Sequence, residues 1–164
     1  MISKSNLPII IRIFSYSILA ITFIFLINNV LTVWFEWPGV KKLLAHYGLF
    51  GNSHNIVINE ESGFAFAVGA NDCSGGLHMI NIQNPSNPSY AGCYSQDGYT
   101  HDSQCVIYNG ADTEYVGREI CFSSNEDTVT ITDVTDKSNP TTLSINGYSG
   151  AQYTHQGWLT EDHR

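Results

Sequence analysis

Charged residues are scarce in this chain, and basic residues are the scarcest of all. Only 13% of its 164 residues are charged, with 7 lysines and arginines against 15 aspartates and glutamates, and the formal net charge is −8. From Ala45 to the C-terminus, Arg118, Lys137 and Arg164 are the only basic residues, against 14 acidic ones. Because such a surface repels phosphates, the sequence excludes nucleic acid as a partner.

Several signatures of metal binding and catalysis are missing as well. None of the four cysteines forms a CxxC pair, so a zinc knuckle is not indicated. Ser103 follows His101 and Asp102 but lies in no nucleophile-elbow motif, which disfavours a hydrolase. The acidic turn at Asn125–Asp127 matches no calcium loop and is interpreted as ordinary turn chemistry.

The N-terminal part of the chain is strongly apolar. Residues 13–35 contain no charged side chain and are mostly apolar, and about 20 such residues are enough for a helix to span a bilayer. We therefore predict a transmembrane helix or signal anchor at 13–35, after a tail at 1–12 and before a linker at 36–50. The membrane is thus an expected partner, through this helix. A cleavable signal peptide is the alternative, but no small-x-small cleavage site follows the apolar run.

The four cysteines all lie beyond the apolar segment, at Cys73, Cys93, Cys105 and Cys121. An even number in a β-rich segment behind a hydrophobic N-terminus predicts two disulfides in an oxidising compartment. Of the three pairings possible, we favour Cys105–Cys121, on consecutive strands, which leaves Cys73–Cys93. Four buried free thiols in a reducing compartment are the alternative. An oxidising compartment favours a cytoplasmic N-terminus with the rest of the chain outside the cytoplasm.

Beyond residue 50 the sequence repeats itself with a period of about 50 residues. One unit runs from Ser53-His54 to Asn87-Pro88, a second from Thr100-His101 to Asn139-Pro140, and a third opens at Thr154-His155. Each complete unit contains three clear strand signals and a short fourth strand after its Asn-Pro turn. The clear signals are Ile56–Ile58, Phe64–Val68 and Leu77–Ile82, then Cys105–Tyr108, Glu119–Ser123 and Thr128–Val134.

Four antiparallel strands per unit are typical of a propeller blade. We therefore predict an all-β fold preceded by the single N-terminal transmembrane helix. Its repeat region, 51–164, is a partial β-propeller of two four-stranded blades, at about 53–99 and 100–153, plus the start of a third at 154–164. Since closed propellers have four to eight blades, we expect a longer gene product or, failing that, completion by oligomerisation.

From about Gly48 onward the chain resembles the choice-of-anchor B family, whose members carry LVIVD-type propeller repeats. The residues that carry the resemblance are His54–Glu60, Cys73–His78, Asn84–Pro88, Ala91–Cys93, Gly98–Asp102, Gln104–Gly110, Glu119–Phe122, Ser124–Thr128 and Tyr153–Asp162. The resemblance implies a surface-anchored or secreted β-propeller and implies no particular biochemical activity.

One histidine occupies the same place in every unit, just before the strand expected to be innermost. These residues are His54, His101 and His155, and equivalent positions in a propeller converge on its central channel. Because imidazole is the commonest metal ligand and Asp102 can orient a ring or bind directly, the four form a candidate divalent-metal site. The alternative is a repeated hydrogen bond from each histidine to the backbone of the neighbouring blade.

Taken together, the sequence favours a membrane-tethered, extracytoplasmic repeat module that binds a protein or glycan. It assigns neither a catalytic residue nor a cofactor. The alternative is a metal-dependent protein or a hydrolase that uses a His-lined channel.

Overall fold

The computed structural model describes Ile24–Leu26, Leu31–Trp37 and residues 40–163. The strands in this part of the chain are β1 (Ile24–Leu26), β2 (Leu31–Trp37), β3 (Val40–Tyr47), β4 (Asn55–Asn59), β5 (Phe64–Val68), β6 (Leu77–Asn81), β7 (Ser89–Tyr94), β8 (Asp102–Ile107), β9 (Glu119–Asn125), β10 (Thr128–Asp133) and β11 (Thr141–Asn146). A short 3₁₀ turn, Cys73–Gly75, lies between β5 and β6.

Two four-stranded antiparallel sheets form the repeat region. The first has the order β4-β5-β6-β7 and the second β8-β9-β10-β11, so that each sheet is one sequence unit folded as a meander. The predicted all-β class and the predicted four strands per unit are therefore confirmed. The edge strands β4 and β8 lie next to each other, which brings the first strands of the two units together.

The N-terminal predictions lie largely outside the described residues. Of the predicted helix at 13–35, the described parts are strands, namely β1 and most of β2, and the tail at 1–12 is not described. Much of the predicted linker at 36–50 is strand β3, which pairs with β2 in a three-stranded sheet. Among the described residues, no helix is long and apolar enough to cross a membrane.

Strand β5 is buried on both of its faces. Ala65 and Ala67 contact Tyr47, Phe50 and other residues on one side, whereas the alternate side chains of β5 face the second sheet. That second cluster contains Phe66, Val68, Leu77, Met79, Tyr94, Cys105, Cys121 and Val134. Double-sided burial explains why the β5 sequence Phe-Ala-Phe-Ala-Val is apolar throughout instead of alternating with polar residues.

Both predicted disulfides are present. Cys105 and Cys121 lie directly opposite each other on β8 and β9. Cys73 and Cys93 join the 3₁₀ turn to β7. The structure therefore confirms the favoured pairing, and the described residues include no free cysteine.

A buried carboxylate joins the two sheets. Oε1 of Glu119, at the start of β9, accepts hydrogen bonds from Asn59 Nδ2 at 2.7 Å and from Ser62 Oγ at 2.6 Å, both in the first unit. Its Oε2 accepts a hydrogen bond from the ammonium of Lys137 at 2.6 Å. The same ammonium lies 4.0 Å from the ring centroid of Phe64, again in the first unit. Each oxygen of this buried charge is therefore compensated.

The backbones of the two units approach closely at Gly92. A β-carbon at this position would lie 1.7 Å from the carbonyl oxygen of Lys137, so the backbones touch where a side chain would otherwise stand. Glycine is required here because of this close approach, and the contact lies beside the Glu119–Lys137 ion pair.

The third unit continues as an extended segment across the second sheet. The backbone N–H of Leu159 donates to Gln104 Oε1 at 2.7 Å, and Nδ1 of His163 accepts from the backbone N–H of Asn109 at 2.9 Å. Residues 151–163 contain no strand. Side chains of this segment help to enclose a pocket on the sheet.

We predict that Gly92→Ala destabilises the protein. The added methyl group overlaps a backbone oxygen, so the two sheets must separate, at a cost of about 1–3 kcal/mol or more in the free energy of unfolding. Urea denaturation measures this loss. The matched control is Gly147→Ala, where the added carbon meets nothing closer than Asp127 O at 3.6 Å, and its effect should stay within about 0.5 kcal/mol. Equal effects of the two substitutions would contradict the proposed close contact.

Candidate functional site

The three equivalent histidines form a column. The ring centroids of His54 and His101 are 4.1 Å apart, and those of His101 and His155 are 4.0 Å apart. His54 precedes β4 and His101 precedes β8, so the adjacency of these strands brings the rings together. Gly69 leaves room for His54, because a β-carbon there would lie 2.6 Å from the His54 Cβ. The structure therefore brings the three residues together.

Hydrogen bonding fixes the central ring of the column. Nδ1 of His101 contacts the backbone carbonyl oxygen of His155 at 2.7 Å, and since a carbonyl only accepts, this nitrogen carries the proton. Tyr153 packs edge-on against the same ring, with centroids 5.5 Å apart. For His101 this is the backbone hydrogen bond that the sequence offered as the alternative to metal ligation.

Asp102 and Ser103 have partners other than the histidines. Oδ1 of the buried Asp102 accepts from Asn55 Nδ2 and from the Ser103 backbone N–H, each at 2.9 Å. The hydroxyl of Ser103 is also buried and lies 3.2 Å from the carbonyl oxygen of Phe122. Asp102 therefore links β4 to β8, and Ser103 is not placed as a nucleophile beside His101.

A second cluster was not predicted from the sequence. His78 on β6 is fully buried; its Nδ1 lies 2.8 Å from Asp72 Oδ2, and its Nε2 lies 2.9 Å from the Tyr47 hydroxyl. The Cys73 sulfur is 4.0 Å from the same Nδ1. Among the described residues, Asp72, Cys73 and His78 form the one group of three metal-ligating residues whose donor atoms all lie within 4.8 Å of one another.

The electrostatics of this cluster favour a carboxylate and a neutral phenol. The backbone N–H of Cys73 and the hydrogen bond to His78 lower the pKa of Asp72, against the opposing effect of burial. Burial, together with Tyr90 and Asp72 nearby, raises the pKa of Tyr47 to about 12. Asp72 is therefore ionised at neutral pH, whereas Tyr47 keeps its proton and serves as a hydrogen-bonding group.

Sequence reasoning missed this cluster for a simple reason. Asp72, Cys73 and His78 are close in the chain, but Tyr47 is 31 residues from His78, and no repeat links them. The available signal was His78 itself, a histidine in an otherwise apolar strand.

A pocket of about 370 Å³ opens on the outer face of the second sheet. Its walls combine aromatic and aliphatic side chains with a few polar groups. The lining residues are Tyr108, Asp112, Tyr115, Ile120, Phe122, Ile131, Leu143, Ser144, Leu159 and His163. This size and mixture are typical of small-molecule sites in proteins. Three of these residues, Tyr108, Asp112 and Tyr115, lie at or beyond the end of β8, in the long connection to β9.

The described hydrogen bonds of two polar residues in the pocket, His163 and Ser144, lead to other partners. Nδ1 of His163 is occupied by the Asn109 N–H, and the Ser144 hydroxyl is bonded to Asn146 Nδ2. A catalytic serine and its base are hydrogen-bonded to each other, and neither of these contacts links Ser144 to His163. The pocket can therefore orient a ligand, and its described hydrogen bonds do not activate a nucleophile.

We predict that Tyr47→Phe destabilises the protein by about 1–3 kcal/mol, because the buried Nε2 of His78 loses its partner. Urea denaturation of the two proteins measures the difference. Tyr90→Phe is the control, since Tyr90 is 51% exposed, and its effect should remain within about 0.5 kcal/mol. A Tyr47→Phe protein as stable as the control would show that the hydroxyl contact contributes nothing.

The chain matches no protein-family model, no curated protein and no solved structure.

Proposed function

We propose that the chain is a membrane-tethered, extracytoplasmic propeller module that binds a glycan or protein ligand without catalysis. The observation that carries the proposal is the aromatic-lined pocket on the second sheet. The tether is the apolar segment at 13–35, and the repeat region presents the pocket.

The repeat supports the propeller architecture. Both sheets are meanders of the same strand order, and their first strands, β4 and β8, are neighbours. Consecutive propeller blades are arranged in this way around a central channel. The histidine column marks the same edge of both sheets, which is where such a channel would lie.

The disulfides support an oxidising compartment. All four cysteines are paired, and one pair joins opposite residues of adjacent strands within a unit. Disulfides of this kind persist in secreted and surface proteins and are rare in the cytosol.

The pocket favours a ligand with both apolar and polar faces. Tyr108, Tyr115 and Phe122 offer aromatic surface, and Asp112 and Ser144 offer polar groups at its edge. A sugar ring has C–H faces that pack on aromatic rings and hydroxyls that bond to such polar groups. A glycan therefore fits the lining better than a purely apolar ligand, and a protein side chain of the same chemistry is the other possibility.

We predict that at least one sugar in a panel of neutral mono- and disaccharides binds to this pocket of the purified full chain. Saturation-transfer NMR against the panel identifies the binder, and titration gives its affinity. Tyr115→Ala should weaken that affinity by about two- to tenfold, because a stacked aromatic ring contributes roughly 0.5–1.5 kcal/mol.

The matched control is Tyr90→Ala, an exposed tyrosine on the other sheet that does not line the pocket. It should leave the affinity unchanged. If no sugar binds, or if Tyr90→Ala weakens binding as much as Tyr115→Ala, the pocket is not the glycan site.

The histidine column supports a second candidate function, a metal-dependent protein. Its supporting observation is the stacking of three imidazoles, with the His101 ring centroid 4.1 Å from that of His54 and 4.0 Å from that of His155. Since His101 Nδ1 bonds to a carbonyl, only its Nε2 is available to an ion. Among the described residues, the nitrogen atoms of the three histidines do not all lie within 4.8 Å of one another. At least one ring would therefore have to rotate to bind the same ion.

Metal analysis separates the two candidates. Under this second function, the purified protein retains a divalent transition metal after dialysis, and His101→Ala loses it. Equal metal contents, or none in either protein, would exclude the metal-dependent function and leave the binding module.

A further inference from the structure

The surroundings of the Cys73–Cys93 disulfide differ from those of Cys105–Cys121. Cys73 lies between an acidic residue and a histidine whose donor atoms are within 4.8 Å of its sulfur. Cys93 is bonded to that sulfur and lies opposite His78 in the β6–β7 pairing. The Cys73 sulfur, one imidazole nitrogen and one carboxylate oxygen therefore lie within 4.8 Å of one another, and the Cys93 sulfur is bonded to the Cys73 sulfur.

We propose that this point is a redox-gated zinc site. When the disulfide is reduced, Cys73, Cys93, His78 and Asp72 bind one Zn²⁺ as a tetrahedral set of two thiolates, an imidazole and a carboxylate. The disulfide and the metal are alternative cross-links at the same position. The site shares no residue with the pocket or with the histidine column.

The distances suit this ligand set. Tetrahedral zinc with Zn–S bonds of about 2.3 Å and Zn–N and Zn–O bonds of about 2.0–2.2 Å holds its donors roughly 3.3–3.8 Å apart. His78 Nδ1 is 4.0 Å from the Cys73 sulfur and 2.8 Å from Asp72 Oδ2. The imidazole and carboxylate therefore need only shifts well below the length of a bond. The larger movement is that of the Cys93 sulfur, which leaves the Cys73 sulfur and turns toward the imidazole and the carboxylate.

Hydrogen bonds to neighbouring groups orient two of the proposed ligands, Asp72 and His78. Oδ1 of Asp72 accepts from the Cys73 N–H at 2.8 Å, which leaves Oδ2 to face the site. The Tyr47 hydroxyl holds Nε2 of His78, so Nδ1 is the nitrogen that faces the sulfurs. Hydrogen bonds of this type orient metal-ligating histidines. The Asp72 side chain is 49% exposed, whereas Cys73 and His78 are buried, which gives an ion one open approach.

The backbone at the site is held in an uncommon conformation. Cys73 and Ser74 have φ angles of +53° and +54°, and neither is a glycine. Consecutive left-handed residues of this kind persist where the surroundings fix them and are concentrated at functional sites. A cross-link at Cys73, whether disulfide or metal, provides that constraint.

The chemistry balances with a dithiol reductant. The dithiol gives two electrons and two protons to the S–S bond and is itself oxidised to a disulfide, while Cys73 and Cys93 become thiols. Zn²⁺ then displaces both thiol protons and forms two Zn–S bonds. The imidazole binds Zn²⁺ as its neutral tautomer: its single ring proton moves from Nδ1 to Nε2, where it donates to the Tyr47 oxygen, and the net proton count of the ring is unchanged.

Cobalt titration tests the site directly. The purified full chain is reduced anaerobically and titrated with Co²⁺, whose thiolate charge-transfer and tetrahedral d–d bands report its ligands. We expect one Co²⁺ per reduced chain, displacement by one equivalent of Zn²⁺, and no such bands from the oxidised protein. Asp72→Asn should weaken cobalt affinity by about tenfold or more, and Tyr47→Phe by about 10–100-fold.

Paired cysteine variants serve as controls. Cys105→Ser/Cys121→Ser removes the other disulfide and should keep the cobalt bands, whereas Cys73→Ser/Cys93→Ser should abolish them. The oxidised form of each variant is compared with the parent by circular dichroism to establish folding. The proposal is wrong if the reduced parent shows no charge-transfer band, or if Cys73→Ser/Cys93→Ser binds cobalt as the parent does.

Discussion

The arrangement of the two sheets depends on one buried carboxylate, that of Glu119. Removing an ionised group from water costs several kcal/mol unless partners surround it, and here the partners come from both units. Asn59 and Ser62 contribute from the first sheet and Lys137 from beyond the second, with Phe64 beneath the ammonium. These partners surround the carboxylate in one relative placement of the two sheets. The Glu119 contacts therefore fix the orientation of one sheet against the other. The adjacency of β4 and β8, and with it the histidine column, follows from that placement.

Local and repeated features could be predicted from the sequence. Strand content and order followed from signals within each unit, and the pairing Cys105–Cys121 followed from its position on consecutive strands. The approach of His54 to His101 followed from equivalence between units. Contacts between dissimilar residues far apart in the chain, such as Glu119 with Asn59, could not be predicted. Neither residue has a local sequence pattern that identifies the other as its partner.

Two groups of histidines occupy opposite environments in this small structure. The rings of His54, His101 and His155 lie at an edge with access to solvent and contact one another, whereas His78 is enclosed and bonded through both nitrogens. Regular spacing in the sequence drew attention to the first group. The second group has the closer set of donor atoms, since its ligands come from one short loop and the strands beside it. Repetition thus indicates architecture, whereas irregular local clusters indicate chemistry.

The connection after the first strand differs greatly between the two units. It is the short turn 60–63 in the first and residues 108–118 in the second, although the flanking strands correspond. Tyr108, Asp112 and Tyr115 all belong to the longer connection and line the pocket. Loops carried on a rigid scaffold tolerate changes of length and sequence. Recognition can therefore diversify in this loop during evolution while the assembly of the sheets is inherited unchanged, and the same loop is the natural position for grafting a new specificity.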